Sequence, residues 1–316
     1  MQMSDFKHFL DNERDREQLG IALLFCALLL GGFVFFFPSK QEEAVATATT
    51  TPPAPDAYAN VKLEGKAAIV YDLTTGLPLY ERNADAQLPL ASLTKLLTTY
   101  AAVDTLSPST TITMTPNAIA QDGDSGLMEG EQFAFKDIAR LALVASSNDA
   151  AEAITEAASA SRAESTQTLL KNAAAAAALS QTYAINGTGL DENDAVSGGY
   201  GSARDVARLA SALLEKAPDI ARATTEPTVT ADSLSGTVHT LPNTDIAIGH
   251  FPSPLLSKTG FTDLAGGNLA VIFNAGLDHP IAVVVLGSTR DARFTDVDTL
   301  ISATLSHFAG VSPNAP

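Results

Sequence analysis

The chain has 316 residues, of which 46% are hydrophobic and 17% are charged. This composition supports a sizeable core and excludes a wholly disordered chain. The net charge of −17 argues against nucleic acid as a partner, because phosphate binding needs clustered Lys and Arg side chains. The single cysteine, Cys26, excludes an internal disulfide framework, and the five histidines lack the spacing of a metal hydrolase.

The first sixty residues form three segments that lie outside any predicted fold. Residues 1–18 are polar and charged, and residues 19–37 are an apolar run without a charge, long enough to span a hydrocarbon core of roughly 30 Å as a helix. Residues 38–60 are rich in Thr, Ala and Pro, which predicts a solvated linker. We predict a cytoplasmic tail, an uncleaved single-pass membrane anchor, a linker and an extracytoplasmic domain over residues 61–316. A signal peptide cleaved near Ala46 is the alternative.

The folded region predicts strands at both ends and helices between them. We expect one sheet built from both ends of the domain, with a helical region inserted in the middle. Residues 224–251 match no pattern. The predicted strands are 66–73, 77–80, 268–274 and 281–286, and the predicted helices are 93–106, 135–145, 149–160, 162–179, one starting at Ser202, and 291–308.

The first chemical motif is Ala-Ser-Leu-Thr-Lys, which places Ser92 and Lys95 three residues apart. If Ser92 begins a helix, Lys95 lies one turn further on the same face, and its amine reaches the serine oxygen. A serine hydroxyl is a poor nucleophile until a base takes its proton. Lysine acts as that base only when burial or a second cation lowers its pKa.

Two further motifs follow in the predicted order of elements. Ser146 and Asn148 follow an apolar helix and offer a hydroxyl and an amide together. Lys258, Thr259 and Gly260 come just before the C-terminal strands, where a cation and a hydroxyl suit a carboxylate and the glycine leaves room for a ligand. Each motif alone has an ordinary structural explanation, such as a helix cap or a solvated strand end. Their joint occurrence favours catalysis.

The chain resembles the low-molecular-mass penicillin-binding proteins, the serine-type D-alanyl-D-alanine carboxypeptidases of the peptidase S11 type. The S-x-x-K, S-x-N and K-T-G set is the signature of such enzymes and of class A β-lactamases. The resemblance extends over longer stretches, which are YDLTTGLPLYERNADAQLPLASLTKLLTTY, LVASSNDAAEAI, NGTGLDENDAVSGGYGSARDVARLA and SKTGFTDLAGGNLAVIF.

The resemblance implies a role for each residue of the first two motifs. Ser92 would be the acylated nucleophile and Lys95 its general base. Ser146 would relay a proton toward the leaving amine. Asn148 would orient both Lys95 and the amide of the substrate.

The resemblance also implies how the substrate would be held. Lys258 would raise the local positive potential and, with Thr259, would bind the terminal carboxylate beside Gly260. The backbone N–H groups of Ser92 and Phe261 would form the oxyanion hole, which suits the start of a helix because free N–H groups gather there.

The family has an α+β fold in which helices flank an antiparallel sheet of about five strands and a helical subdomain is inserted, as in penicillin-binding proteins and β-lactamases. The resemblance therefore implies a membrane-anchored hydrolase that trims the terminal D-Ala from peptidoglycan stem peptides through an acyl-enzyme. It would serve peptidoglycan biosynthesis, the cell wall and cell shape. β-Lactams would be its covalent inhibitors, and it would need neither a metal nor a cofactor.

Three other functions are open at this point. Relatives of this shape include D-Ala-directed endopeptidases, which cut a different bond. A class A-like β-lactamase needs a deacylating Glu in an E-x-x-L-N segment after the second motif, and Glu192 is present without that context. A protein that binds stem peptides without cutting them would lack a motif Ser, Lys or Asn, and all are present. The third residue of the stem and the oligomeric state are open as well.

Overall fold

The computed structural model describes Glu17, Ile21, Leu23, Leu24 and residues 56–310. The chain divides into two units, Met1–Pro53 and Ala54–Pro316. The four described residues of the first unit are helical and exposed. Apart from these four, the predicted tail, anchor and most of the linker lie outside the described residues. Among the residues that are described, no helix combines the length and the apolar character that a membrane crossing requires.

The second unit is built on a five-stranded antiparallel sheet with the strand order β10-β11-β12-β1-β2. The two N-terminal strands form the predicted hairpin, and Asp72 accepts hydrogen bonds from the amides of its turn. The C-terminal strands complete the sheet, which confirms its assembly from both ends. The strands are β1 Ala67–Asp72, β2 Leu77–Arg82, β3 Leu88–Pro89, β4 Thr111–Thr113, β5 Gln132–Ala134, β6 Tyr183–Ala184, β7 Gly199–Gly201, β8 Thr228–Asp232, β9 Val238–Pro242, β10 Pro254–Thr262, β11 Gly266–Asn274 and β12 Pro280–Ser288.

The sheet carries helices on both faces. The helices are α1 Thr94–Val103, α2 Pro116–Ile119, α3 Phe135–Val144, α4 Asn148–Arg162, α5 Thr166–Ala176, α6 Ala203–Lys216, α7 Pro218–Ala223 and α8 Ala292–Ala309. Helix α8 packs against β11 and β12 on one face, and α6 packs against β1 and β12 on the other. Helices α1 and α3 to α5 form the expected helical region, which is inserted along the chain between the N-terminal and the C-terminal strands of the sheet.

Side chains that alternate along the central strands explain why both faces need a cover. In β12, Ile281, Val283 and Val285 are buried in the cluster that includes α8. Val284 and Leu286 are buried in the other cluster, with the residues of α1 and α6. Each such side chain contributes about 1.5–3 kcal/mol when it is removed from water, so the two clusters stabilise the sheet from both faces.

Two sequence predictions differ from the structure in position. The boundary predicted at residue 161, between the helices 149–160 and 162–179, lies at residues 163–165, because Ala163 ends α4 in the left-handed conformation (φ +54°) and Ser165 caps a new helix at Thr166. The third motif was expected just before the C-terminal strands, but Lys258 lies inside β10. Its side chain is therefore held by a strand that is hydrogen-bonded to β11, not by a loop.

The stretch without a sequence pattern, residues 224–251, contains the β8–β9 hairpin, which packs on α3. A buried pair fixes this hairpin, because His239 Nε2 lies 3.0 Å from Glu131 Oε1. Burial acts to raise the pKa of Glu131, but hydrogen bonds from the Met128 amide and from His239 outweigh it and hold the pKa below its usual value. The hairpin thus ties the loop before β5 to the body of the domain.

The folded part begins before the predicted domain start at residue 61. Ala57 and Tyr58 are buried, and the Tyr58 hydroxyl donates to Thr304 Oγ1 of α8 at 3.0 Å. The last residues assigned to the linker by composition therefore pack on the C-terminal helix. The sequence did not predict this packing, because Tyr58 is a single aromatic residue among small and polar ones.

Candidate active site

Ser92 and Lys95 lie where a single turn of 3₁₀ helix, Ala91–Leu93, runs into α1. Lys95 Nζ lies 2.9 Å from Ser92 Oγ, so the structure places the two side chains within hydrogen-bonding reach. Ala91 has a positive φ of +49°, a conformation that an alanine adopts only when its surroundings impose it. The turn that presents Ser92 is therefore held by tertiary contacts rather than by local preference.

Lys95 is fully buried among neutral acceptors. Its Nζ lies 2.7 Å from both the Asn148 Oδ1 and the carbonyl oxygen of Thr188. Burial lowers the pKa of Lys95 to about 7, against an opposing effect of the Asp149 carboxylate. A neutral amine has two N–H donors and one lone pair. The two carbonyl oxygens use both donors, which leaves the lone pair for the proton of the Ser92 hydroxyl.

The Thr188 carbonyl reaches Lys95 because glycines let the 187–201 segment lie against α1. A Cβ on Gly189 would stand 2.0 Å from the carbonyl oxygen of Ala91, and the residue has φ +76°. A Cβ on Gly199 would stand 2.2 Å from Thr94 Oγ1. This segment belongs to the stretches that carried the resemblance, but nothing in the sequence marked the Thr188 carbonyl itself as part of the site.

Ser146 and Asn148 stand at the start of α4. Ser146 has φ +59°, and Ser147 caps the helix by accepting the Ala150 amide at 3.1 Å. Asn148 Nδ2 donates to the carbonyl oxygen of Asp122 at 2.5 Å, which turns its Oδ1 toward Lys95. Hydrogen bonds at both the nitrogen and the oxygen therefore fix the orientation of the Asn148 side-chain amide.

Ser147 is the middle residue of the second motif. Besides capping α4, its Oγ accepts a hydrogen bond from Ser125 Oγ at 2.7 Å. The Ser125 amide in turn donates to Asp149 at 3.4 Å. Ser147 therefore fastens the loop around Ser125 to the helix that carries Asn148.

Lys258 is the second fully buried lysine of the site. Its Nζ donates to Ser146 Oγ and to the carbonyl oxygen of Thr259, both at 2.9 Å. Burial lowers the pKa of Lys258 well below its usual value, and the positive charges of Lys95 and Arg293 lower it further. The site therefore contains two serine–lysine pairs, one on each side.

The strand β10 runs directly against the turn that carries Ser92. A Cβ on Gly260 would stand 2.8 Å from the Leu90 carbonyl oxygen and 3.3 Å from the Ser92 amide nitrogen, so a side chain there would collide with this turn. Phe261 follows in the same strand. The structure thus brings the two residues of the expected oxyanion hole to adjacent segments. Thr259 Oγ1 lies 2.6 Å from Thr244 Oγ1.

The motifs did not predict Arg293, although it lines the same cleft. It lies in the first turn of α8, is buried, and donates through Nη1 to the Gly260 carbonyl oxygen at 2.8 Å. Burial lowers its pKa, and the neighbouring carboxylate of Asp245 opposes that shift. A single arginine near the start of a helix has no distinctive spacing, so only the fold reveals it.

An open cleft of about 230 Å³ joins these groups. Its lining includes Ser92 and Ser146 from the two serine–lysine pairs, Thr259 and Phe261 from β10, Arg290 just before α8, and Arg293 in the first turn of α8. Glu192 does not line this cleft but a separate one, where Asn186 donates to it at 2.6 Å. Within the described part of the chain, no group of three or more His, Cys, Asp or Glu side chains is arranged to hold a metal ion.

The fold is the α+β fold of penicillin-binding proteins and β-lactamases, as predicted. The chain is similar to penicillin-binding protein D2 from Listeria monocytogenes, solved in its ampicillin-bound form, with a TM-score of 0.68 and 26% identity. That similarity covers 78% of this chain and 99% of the other. Residues 48–290 match the peptidase S11 family, D-alanyl-D-alanine carboxypeptidase. The chain therefore belongs to the S11 family.

Two curated relatives carry the same family name. D-alanyl-D-alanine carboxypeptidase DacF of Bacillus subtilis is 30% identical over 251 residues, which are 78% of this chain and 63% of DacF. D-alanyl-D-alanine carboxypeptidase DacC of Escherichia coli is 28% identical over 269 residues, which are 80% of this chain and 64% of DacC. The chain thus spans less than two thirds of the length of either relative.

Proposed function

We propose that this chain is a serine-type D-alanyl-D-alanine carboxypeptidase that removes the terminal D-Ala from peptidoglycan stem peptides through an acyl-enzyme. The observation that carries the proposal is the 2.9 Å approach of Lys95 to Ser92 in a buried site that lowers the lysine pKa to about 7. A lysine with such a pKa is partly neutral at physiological pH. It is therefore suited to act as a general base.

Acylation proceeds by attack of Ser92 Oγ on the carbonyl carbon of the scissile amide, while the hydroxyl proton moves to Lys95. The backbone N–H groups of Ser92 and Phe261 stabilise the oxyanion. The C–N bond then breaks as the leaving amine takes the proton from Lys95 through Ser146, whose hydroxyl also accepts a hydrogen bond from Lys258. Lys95, neutral again, takes a proton from the water that attacks the ester and returns it to Ser92 Oγ as the ester bond breaks.

The carboxylate of the substrate is held by Lys258, Thr259 and Arg293. Thr259 and Arg293 line the cleft, and Lys258 donates to Ser146, which lines it as well. Charge-assisted hydrogen bonds to a carboxylate are roughly twice as strong as neutral ones. A bound carboxylate also favours the protonated form of Lys258. Since two buried ammonium groups repel each other, a charged Lys258 keeps Lys95 neutral.

β-Lactams follow from the same chemistry as covalent inhibitors. The lactam amide takes the place of the scissile bond, and its amine remains tethered to the acyl group after the ring opens. It cannot diffuse away, so the acyl-enzyme persists. A long-lived adduct also separates this proposal from the β-lactamase alternative, which requires fast deacylation.

We further propose that residues 19–37 anchor the chain in a membrane with the catalytic unit outside the cytoplasm. The support is the uncharged apolar run followed by a Thr, Ala and Pro-rich segment. The full chain should fractionate with membranes, and protease added to spheroplasts should release a fragment that begins within residues 38–60. A mature N-terminus near Thr47 would instead establish signal-peptide cleavage.

The test of activity is mass analysis of the products from a pentapeptide stem. The wild-type chain should release one D-Ala and leave a tetrapeptide, and Ser92→Ala should leave the pentapeptide intact. Recovery of unchanged pentapeptide with the wild-type chain, under conditions where it is folded, would contradict the proposal.

A further inference from the structure

Apolar side chains are exposed together at one end of the five-stranded sheet. Leu77 begins β2, Leu277 lies in the turn between β11 and β12, and Leu305 and Phe308 lie in the last turns of α8. Leu77 is 62% exposed and Leu277 is 97% exposed, and the two residues of α8 are exposed as well. We call these four residues the sheet-end cluster. Single exposed apolar side chains need no explanation, but a group of them marks an interaction surface.

His279 joins the members of the sheet-end cluster. The centre of its ring lies 4.8 Å from that of Phe308, and it follows Leu277 by two residues in the same turn. Its Nε2 lies 3.1 Å from Oδ2 of Asp72, the residue that pairs with Leu77 between β1 and β2. The two turns of the sheet and the end of α8 therefore form one continuous surface.

The segments that form this surface carry almost no charge. They are residues 73–80, 275–281 and 299–310, and Asp278 is the one Asp, Glu, Lys or Arg among them. In the whole chain 17% of the residues are charged, and the net charge is −17. The surface therefore suits apolar contact better than contact through ion pairs.

The chain enters the catalytic unit at this same end. The described part of the unit begins at Asp56, and the centre of the Tyr58 ring lies 5.9 Å from that of His307, the neighbour of Phe308. Residues 38–55 connect the apolar run to this point, and a linker of that length spans roughly 25 Å as a random coil. A tether at this position keeps the sheet-end cluster close to whatever holds the apolar run.

We propose that the sheet-end cluster rests on the surface of the lipid bilayer in which residues 19–37 are anchored. The inference rests on the proposed membrane anchor, and it adds the face by which the catalytic unit meets the bilayer. Leu and Phe side chains favour the boundary between the headgroups and the acyl chains. Four of them give only a weak contact, but the tether makes the contact intramolecular, so a weak one is enough.

Helix α8 separates the sheet-end cluster from the active-site cleft. Its first turn carries Arg293, which lines the cleft, and its last turns carry Leu305 and Phe308. The helix has 18 residues, which span about 27 Å at a rise of about 1.5 Å per residue. Contact of the cluster with the bilayer therefore keeps the cleft away from the lipid and within reach of a cell-wall polymer.

The test uses the absence of tryptophan from the chain, because a single introduced tryptophan then reports on its own surroundings. The full chain is reconstituted in phosphatidylcholine vesicles with brominated phospholipid, which quenches tryptophan on contact. We expect Leu277→Trp to lose about half of its emission, since an interfacial side chain lies roughly 5–10 Å into the headgroup region. Leu234→Trp is the matched control and should keep its emission. Leu234 is a 60% exposed leucine in the turn between β8 and β9, a hairpin that packs on α3.

A second variant separates the contact made by the cluster from the affinity of the new tryptophan for lipid. Phe308→Ser, added to Leu277→Trp, removes the ring beside His279 and should restore most of the lost emission. Both variants should still float with the vesicles, because the apolar run is unchanged. They should also release D-Ala from a soluble pentapeptide at the wild-type rate, because neither residue lines the cleft.

Equal quenching of Leu277→Trp and Leu234→Trp in the vesicle-bound chain would overturn the inference, and so would quenching of neither. Emission of Leu277→Trp that is shifted to the blue without quenching would overturn it too, because protein rather than lipid would then cover the cluster. These results leave the anchor and the activity in place. A full chain that does not float with the vesicles would contradict the anchor itself, and the inference with it.

Discussion

The helical side and the sheet side of the cleft each bring a buried lysine to a serine, but they surround it differently. On the helical side, Lys95 meets two neutral carbonyl oxygens and Ser92. On the sheet side, Lys258 meets Ser146 and a backbone carbonyl, with the charge of Arg293 nearby. The same residue type at the same burial is thus placed in two electrostatic settings.

The difference indicates two chemical roles. The neighbours of Lys95 satisfy a neutral amine and leave its lone pair toward a hydroxyl, as a base requires. Lys258 lies beside a second cation at the end of the cleft where a carboxylate would bind, so an anionic substrate would restore its proton. The surroundings of the two lysines, rather than their residue type, therefore make Lys95 the base and Lys258 the group that binds the substrate carboxylate.

Of the changes considered, removal of the general base Lys95 should have the largest effect, and it should act on the acylation rate. We expect Lys95→Ala to slow acylation by a labelled penicillin about 10²–10⁴-fold, the usual contribution of a general base. Lys171→Ala, at an exposed position of α5, is the control and should acylate at the normal rate. Normal acylation of Lys95→Ala, measured by stopped-flow fluorescence, would remove the lysine from the mechanism.

Removal of the sheet-side lysine should affect binding and pH together. We expect Lys258→Ala to weaken the apparent affinity for carboxylate-bearing substrates about tenfold, the effect of losing a charge-assisted hydrogen bond. In the complex with a carboxylate-bearing substrate, the midpoint of the pH profile should also move upward, because the variant lacks the ammonium group that the bound carboxylate favours near Lys95. A midpoint that moves down would contradict the assigned roles, provided that thermal melting shows the variant to be folded.

The wild-type pH profile follows from the lowered pKa of Lys95. The base is active only when deprotonated, so the acylation rate should rise with pH and level off above a midpoint of about 7. Well below that midpoint the rate should fall tenfold per pH unit. A midpoint near the ordinary lysine pKa of about 10.4 would show that burial does not tune this group.

The smallest expected effect is on stability, and it concerns the two hydrogen bonds by which Ser147 holds the start of helix α4. Ser147→Ala removes a helix cap and the bond to Ser125, and we expect it to lower the free energy of unfolding by about 1 kcal/mol. Denaturant unfolding measures this value. Ser302→Ala, at an exposed position of α8, should leave stability within about 0.5 kcal/mol. Equal stability of both variants would contradict the capping role.

The sequence was informative where chemistry and local structure coincide. The β1–β2 hairpin, the helix after Ser92 and the strands β11 and β12 have strong periodic or turn signals, and the structure confirms them. The break at Ala163 was predicted two residues too early, at residue 161, since an alanine in the left-handed conformation has no sequence signature. The site residues Arg293 and Thr188 were missed because packing between distant segments, rather than spacing along the chain, brings them to the cleft.

The most direct test of the account is to locate the covalent adduct that a penicillin leaves on the full chain. After brief reaction and proteolysis, mass spectrometry should find the added penicilloyl mass on the peptide that contains Ser92, with fragment ions that assign it to that residue. The Ser92→Ala variant should carry no adduct while it melts at a similar temperature. An adduct on Ser146, or an equally labelled Ser92→Ala variant, would show that the nucleophile has been misassigned.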